Sequence, residues 1–187
     1  MNPPADPPSD RLGMSLPLAM LGLAVWQAFP TLIEAWSHDL YARGAPLAFA
    51  IWIATQGWLF FKNRHLPAPA SVAWLAASMM LCTAGAMSGL RVLHHLALAC
   101  AVAGLPGRHA RATVAPLFTP AAALTKLTIL GITAVTVLAW LPASGWLLSH
   151  WRAGGLGGWE RPALAALMAL FLLTLSRVSA PPPAPAP

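Results

Sequence analysis

The chain has 187 residues, of which 58% are hydrophobic and only 9% are charged, whereas ordinary soluble domains carry roughly 25% charged residues. With a mean hydropathy of +0.65, this composition leaves too little polar surface for a globule in water and predicts a single-domain integral membrane protein. The net charge of +6 comes from basic residues scattered between apolar runs, so it does not indicate nucleic-acid binding.

Both ends of the chain are rich in proline. Residues 1–11, MNPPADPPSDR, lack the basic n-region of a signal peptide, so we expect the apolar run after them to remain as an uncleaved first helix. Residues 179–187 contain successive prolines, which lack amide donors and cannot continue a helix. The sequence therefore predicts two poorly ordered tails around one transmembrane domain, residues 12–178.

Between the tails, apolar segments alternate with polar, proline-rich or glycine-rich stretches. A crossing of a hydrocarbon core about 30 Å thick takes roughly 20 residues at 1.5 Å per residue. Residues 71–105 form an apolar run that is too long for a single crossing of the membrane. We therefore expect the chain to fold back at GAMSGLR, where Gly85 and Gly89 weaken the helix before Arg91. The predicted spans are residues 12–33, 45–61, 71–87, 92–107, 122–141 and 162–178. The predicted fold is an all-α, polytopic membrane bundle of six helices.

Basic residues and tryptophans predict how the bundle sits in the membrane. A cytoplasmic N-terminus puts six basic residues inside and four outside, as the positive-inside rule favours for a multi-pass inner-membrane protein. The inner set is Arg11, Lys62, Arg64, Arg108, Arg111 and Arg177, and the outer set is Arg43, Arg91, Arg152 and Arg161. Tryptophans near the predicted span ends are expected in the headgroup layer. They are Trp36, Trp58, Trp140, Trp146, Trp151 and Trp159.

In this topology, half of the Lys, Arg, Asp, Glu and His residues share the outer side. Arg91, His94 and His95 lie three and four residues apart in RVLHHLALAC, so they share one helix face and are expected to converge without deep burial. The candidate outer-face polar cluster comprises Glu34, His38, Asp39, Arg43, Arg91, His94, His95 and His150. These residues are either interfacial groups that reach toward water and headgroups or the lining of a site.

The spacing of chemically active residues indicates no specific reaction. No HxxxH or HxxE pattern occurs within one segment, so we expect no metal site. No cofactor is expected, with one alternative: a b-haem held by two facing histidines, such as His94 or His95 with His150. Cys82 and Cys100 lie among apolar residues, where a thiol behaves as a small hydrophobe. No catalytic residue is identified.

Two stretches resemble the exosortase and archaeosortase family of membrane proteins. AWSHDLYARGAPLAFAIWIATQGWLFFKNRH has a Trp, an Asp-x-Tyr, a Gly and an apolar span that ends in basic residues, as in the early segment of that family. LPGRHARATVAPLFTPAAA is similar to the family's stretch of Gly and basic residues before a proline-bounded apolar segment, and together the stretches cover about residues 32–123.

The resemblance implies a bacterial inner-membrane protein that cleaves C-terminal sorting signals of exported proteins with Cys, Arg and His on the outer side. No cysteine follows Cys100, and Ala42 and Arg43 stand where the family has Ser-His, so no catalytic residue carries over. We therefore predict a shortened or divergent member of this scaffold that acts as a non-catalytic accessory in envelope protein sorting or processing.

The expected partners are the lipid bilayer and other membrane or exported proteins, not nucleic acid. The alternative is a small helical subunit of a membrane redox or transport complex that uses the outer histidines for a cofactor or for docking.

Overall fold

The computed structural model describes residues 9–38, 44–63, 70–105, 120–145 and 159–178. These ranges form six α-helices: α1 Ser9–His38, α2 Ala45–Asn63, α3 Val72–Ser88, α4 Arg91–Ala103, α5 Pro120–Trp140 and α6 Glu160–Val178. A 3-10 turn, Pro142–Ser144, follows α5. No strand occurs within the described ranges, so the all-α fold class is confirmed. Most of both predicted tails, residues 1–8 and 179–187, lies outside these ranges.

Each predicted span corresponds to one helix, and the largest difference is in α1. This helix starts at Ser9 and continues to His38, five residues beyond the predicted end, with Pro17 and Pro30 inside it. A proline removes one backbone hydrogen bond, but the helix continues where tertiary contacts hold it. Beyond Pro30, those contacts come from Thr31, Glu34 and Trp36, which bond to other elements.

The predicted fold-back between the third and fourth helices is confirmed. Gly89 has a positive φ of 70° and its N–H donates to the carbonyl of Gly85, which ends α3 in a left-handed cap. Leu90 is extended, and α4 begins at Arg91. At the far end of the hairpin, Ser71 N–H donates to Gly104 O at 3.1 Å. Both ends of the α3–α4 hairpin are therefore fixed by backbone hydrogen bonds.

The helices pack in two groups. α4 contacts both α1 and α3, while α2 packs against α5 and α6, which also contact each other. Small residues lie at these contacts, including Ala24 and Ala28 on α1 and Ala97 and Ala101 on α4, all fully buried. Their size lets helix backbones approach closely, as in membrane helix bundles.

Large apolar side chains cover much of the outer surface of the helices. Trp26 is 80% exposed and Met87 is 85% exposed. Among the described residues, one segment, Ser15–His38, is long and apolar enough to cross a membrane, while Val72–Ser88, Arg91–Ala103 and Gly131–Trp140 are apolar but shorter. The six-span topology stays a prediction.

Candidate functional site

The polar residues of RVLHH meet a matching face of α1. On α1, Gln27, Thr31 and Glu34 are four and three residues apart, so they share one helix face. Each bonds to one residue of α4. We call this set the α1–α4 ladder. Its members are Gln27, Thr31, Glu34, Arg91, His94 and His95.

The contact at the most exposed end of the α1–α4 ladder is an ion pair. Arg91 Nη1 donates to Glu34 Oε2 at 2.8 Å, and the two side chains are 58% and 52% exposed. A charge-assisted bond of this length has good geometry, but water screens a pair this open. The pair therefore adds specificity to the α1–α4 contact more than it adds stability.

The second rung buries an imidazole. His95 is 3% exposed, so the expectation that it avoids deep burial is wrong. Thr31 Oγ1 donates to Ala28 O at 2.9 Å and lies 2.9 Å from His95 Nε2. Because the hydroxyl proton is already used, its oxygen accepts from His95 Nε2–H, which fixes the tautomer of a neutral ring. Nδ1 is then an acceptor, and it has no hydrogen-bond partner among the described residues.

The third rung places the ring of His94 between three helices. Its Nδ1 lies 2.9 Å from Gln27 Oε1, an oxygen that can only accept, so Nδ1 carries the proton. On the other side, the ring lies against Gly85 of α3, where an added Cβ would be 2.8 Å from His94 Cε1. Gly85 therefore provides the space that this ring occupies.

The remaining predicted cluster residues do not join this ladder. His38 is exposed near the end of α1, and its Nδ1 lies 2.8 Å from Ser37 Oγ and 2.9 Å from Glu34 O. Asp39, Arg43 and His150 lie outside the described residues.

Two members of the ladder, Gln27 and Thr31, were not among the predicted residues. Their helical spacing from Glu34 is a signal that could have identified them.

Arg161 forms a second buried polar contact. It belongs to the predicted outer basic residues but is only 2% exposed. Nη1 donates to Ala139 O and Leu141 O, each at 3.1 Å, and to Ser144 Oγ at 3.3 Å. These carbonyls lie at the C-terminal end of α5, where a helix leaves acceptors unused and favours a cation. Arg161 therefore fixes the start of α6 to the end of α5.

Four aromatic side chains connect the two helix groups. Phe49 of α2 lies 5.4 Å from Trp36, 5.6 Å from Trp52 and 5.1 Å from Trp140 between ring centroids. Trp36 Nε1 also donates to Trp140 O at 3.4 Å. Trp140 lies at the end of α5, as predicted, but it is fully buried, so its ring packs inside the bundle and does not face outward. Trp58 and Trp159 are exposed, whereas Trp146 and Trp151 lie outside the described residues.

The b-haem alternative pairs His94 or His95 with His150, which lies outside the described residues, so it stays a prediction. His94 and His95 are neighbours on one helix, and each ring bonds to α1 through one nitrogen. Within the described ranges, no group of three or more His, Cys, Asp or Glu side chains is placed to hold a metal ion. Cys82 is buried and Cys100 is half-buried, both as free thiols.

Comparisons with protein-family models, with characterised proteins and with solved structures found no match.

Proposed function

We propose that this chain is a six-span helical protein of the bacterial inner membrane, with its N-terminus in the cytoplasm, that acts as a non-catalytic scaffold for exported or membrane proteins. The observation that carries the proposal is the α1–α4 ladder, in which the described ionisable residues of RVLHH bind another helix. The resemblance to exosortases over residues 32–123 supports envelope protein sorting as the process it serves.

The distribution of polar and apolar side chains supports a membrane position. Ser78, Thr136 and His95 are buried between helices, while Met80, Leu127 and Leu170 point outward. Such a surface is unfavourable in water and suits a hydrocarbon solvent, where polar groups must find partners inside the bundle. Ser78 does so by donating to Ala97 O across the α3–α4 contact at 2.9 Å.

The hydrogen bonds that the histidines and Arg161 make within the bundle support a scaffold rather than an enzyme. An acid–base or nucleophilic site needs a reactive group within reach of a substrate and of its activating partner. Here the His94 and His95 rings bond to side chains of α1, and Arg161 bonds to the end of α5. These contacts position helices within the bundle, so in this proposal the charged groups serve the fold and not a reaction.

Cysteine labelling in intact spheroplasts tests the topology. In a background with Cys82→Ser and Cys100→Ser, which should leave the protein level unchanged, single cysteines replace Asp39, Asn63 or Gly155. A membrane-impermeant maleimide should label the first and third positions but not Asn63, and permeabilised cells should label all three. Labelling at Asn63 alone would invert the orientation, and release of the protein by alkaline carbonate would overturn the membrane proposal.

A sorting role predicts a second result in cells. Deletion of the gene should lower the amount of correctly processed exported protein, and the double serine variant should restore it because neither thiol is proposed as a nucleophile. Loss of rescue at normal protein level would overturn the non-catalytic assignment. A Soret band in the purified protein would instead favour the redox-subunit alternative.

A further inference from the structure

The contact between His95 and Thr31 ties the protonation of one imidazole to the packing of α4 against α1. Thr31 Oγ1 donates its proton to Ala28 O and accepts from His95 Nε2–H at 2.9 Å. His95 is 3% exposed, and its Nδ1 is enclosed without a hydrogen-bond partner among the described residues. The closed contact therefore suits only a neutral ring that carries its proton on Nε2.

A second proton on this ring would create an N–H donor at Nδ1 with no acceptor. Burying an unpaired ionic group costs far more than burying a neutral polar group, so the closed contact disfavours the imidazolium. When α4 separates from α1, water can reach both ring nitrogens and solvate the cation. Protonation of His95 and separation of the two helices are therefore linked, and each favours the other.

The charged groups nearest to this contact do not compensate for a second proton. On α4, Arg91 lies one turn from His95 and His94 is its neighbour, so a new cation there would meet positive charge. On α1, Glu34 lies three residues from Thr31, but its carboxylate is already bonded to Arg91 at 2.8 Å.

The other ionisable residues of the three packed helices do not supply a counter-ion. α3 has one, the buried thiol of Cys82, and α4 adds the half-buried thiol of Cys100. On α1, His38 is exposed and seven residues beyond Thr31. Asp10 and Arg11 are about 30 Å from Thr31 along the same helix at 1.5 Å per residue.

We propose that the His95–Thr31 contact is an acid-sensitive link, which holds α1 against the α3–α4 hairpin at neutral pH and opens when His95 takes up a proton. In the proposed topology, the link lies one turn from the outer end of α4, so the pH of the outer compartment controls it. That placement rests on the proposed function, whereas the opening itself depends only on the packing of α1, α3 and α4.

Hydrogen exchange on the purified full chain in detergent tests the link. Peptide mass spectrometry compares amides of α4 with those of the α5–α6 pair at about pH 8 and about pH 5, after correction for the intrinsic effect of pH on exchange. α4 has 13 residues, which is marginal for a helix on its own, so its amides should lose protection when α1 no longer packs against it.

The expected effect is local to one group of helices. Opening linked to one proton can increase by up to about tenfold for each pH unit, so α4 protection should fall by about tenfold or more at the lower pH. Protection of α5 and α6 should hardly change. Equal losses in both groups would mean general acid denaturation and would overturn the proposal, as would unchanged protection of α4.

Replacement of His95 by glutamine provides the decisive comparison. His95→Gln keeps an N–H that can donate to Thr31 but cannot titrate, so α4 should be protected equally at both pH values. His38→Gln is the matched control, because His38 is exposed and bonds to Ser37 and Glu34 of its own helix; it should keep the full pH response. A response in His95→Gln as large as in wild type, or its loss only in His94→Gln, would refute the assignment to His95.

Nitrogen-15 NMR on the wild-type protein gives a test that needs no variant to fold. At about pH 8, His95 should be the Nε2–H tautomer and His94 the Nδ1–H tautomer, because His94 Nδ1 faces Gln27 Oε1. On acidification, protonation of His95 should coincide with the loss of α4 protection. A doubly protonated His95 with α4 still protected would refute the link, and the maleimide experiment tests the topology separately.

Discussion

Arg91 and Glu34 form the most exposed contact of the α1–α4 ladder, and their 2.8 Å bond can be tested directly. Half-exposed ion pairs are weak, so we expect Arg91→Ala and Glu34→Ala to show a coupling energy of about 0.5–1 kcal/mol in a double-mutant cycle. The measurement is thermal unfolding in detergent. The control is Thr83→Ala, an exposed substitution on α3, whose effect on the unfolding free energy should simply add to that of Arg91→Ala. If the effects of Glu34→Ala and Arg91→Ala also add, the observed bond contributes nothing to stability.

Arg161 is the opposite case, because its side chain is buried. Replacing it with Met keeps the volume but leaves the carbonyls of Ala139 and Leu141 without their donor. We expect a loss of about 2–3 kcal/mol in unfolding free energy, the typical cost of losing hydrogen bonds to a charged group. Arg91→Met, on the exposed pair, should cost less than about 1 kcal/mol. Equal losses for the two variants would contradict the assigned capping role.

The sequence predicted part of this residue-scale picture. The helical spacing of Arg91, His94 and His95 correctly placed them on one face, as the three bonds to α1 confirm. Burial of His95 could not be predicted, because it depends on how closely α4 approaches α1. That approach is permitted by small residues such as Ala28 and Ala97, which looked like ordinary parts of an apolar helix.

At the scale of elements, the α3–α4 hairpin shows which local signals are reliable. Gly85, Gly89 and Arg91 in an apolar run predicted the turn, and the left-handed cap at Gly89 is its physical cause. The close contact between Gly85 and the His94 ring could not be predicted, because it depends on the final packing of two helices. A glycine in the sequence therefore predicts the end of a helix more clearly than it predicts a close contact between two helices.

Substitution of Gly85 separates these two roles. Gly85→Ala should destabilise the protein, because the new Cβ would lie 2.8 Å from a ring that Gln27 holds in place. In a His94→Ala background, the same change should become stabilising by about 0.5–1 kcal/mol, the usual advantage of Ala over Gly within a helix.

Gly22→Ala is the matched control for this sign change, since a Cβ there meets no atom within 4 Å. It should stabilise the protein in both backgrounds, as measured by melting temperature in detergent. If Gly85→Ala has the same effect with and without the His94 ring, the contact between them is not the reason for the glycine.

At the scale of the whole molecule, the described helices expose many large apolar side chains, and polar bonds join several of these helices to one another. Composition predicted a membrane protein, because a chain with 9% charged residues cannot cover a bundle with polar surface; the all-α fold class is confirmed, and the membrane topology stays a prediction. Composition did not predict where the tryptophans lie. Trp140 is buried because Phe49 and Trp52 of α2 pack against it, which no rule about span ends anticipates.

The aromatic cluster around Phe49 joins the two groups of helices, so its loss should affect the molecule as a whole. Phe49 contacts Trp36 on α1 and Trp140 on α5 from its own position on α2. Phe49 is partly buried, so we expect Phe49→Ala to lower the unfolding free energy by about 2–3 kcal/mol, below the range of about 3–5 kcal/mol for a fully buried aromatic residue. Trp159→Ala, at a residue that is largely exposed, should change it by less than about 0.5 kcal/mol.

Near-ultraviolet circular dichroism distinguishes a weakened junction from general damage. If Phe49 holds the two groups together, the tryptophan signal of Phe49→Ala should melt at a lower temperature than the helical signal in the far ultraviolet. The helix pairs α1–α4 and α5–α6 keep their own contacts without it, through the ladder and through packing. A single coincident transition with a loss below about 1 kcal/mol would show that the junction depends on other residues, because such a loss is too small for the removal of a ring that contacts three others.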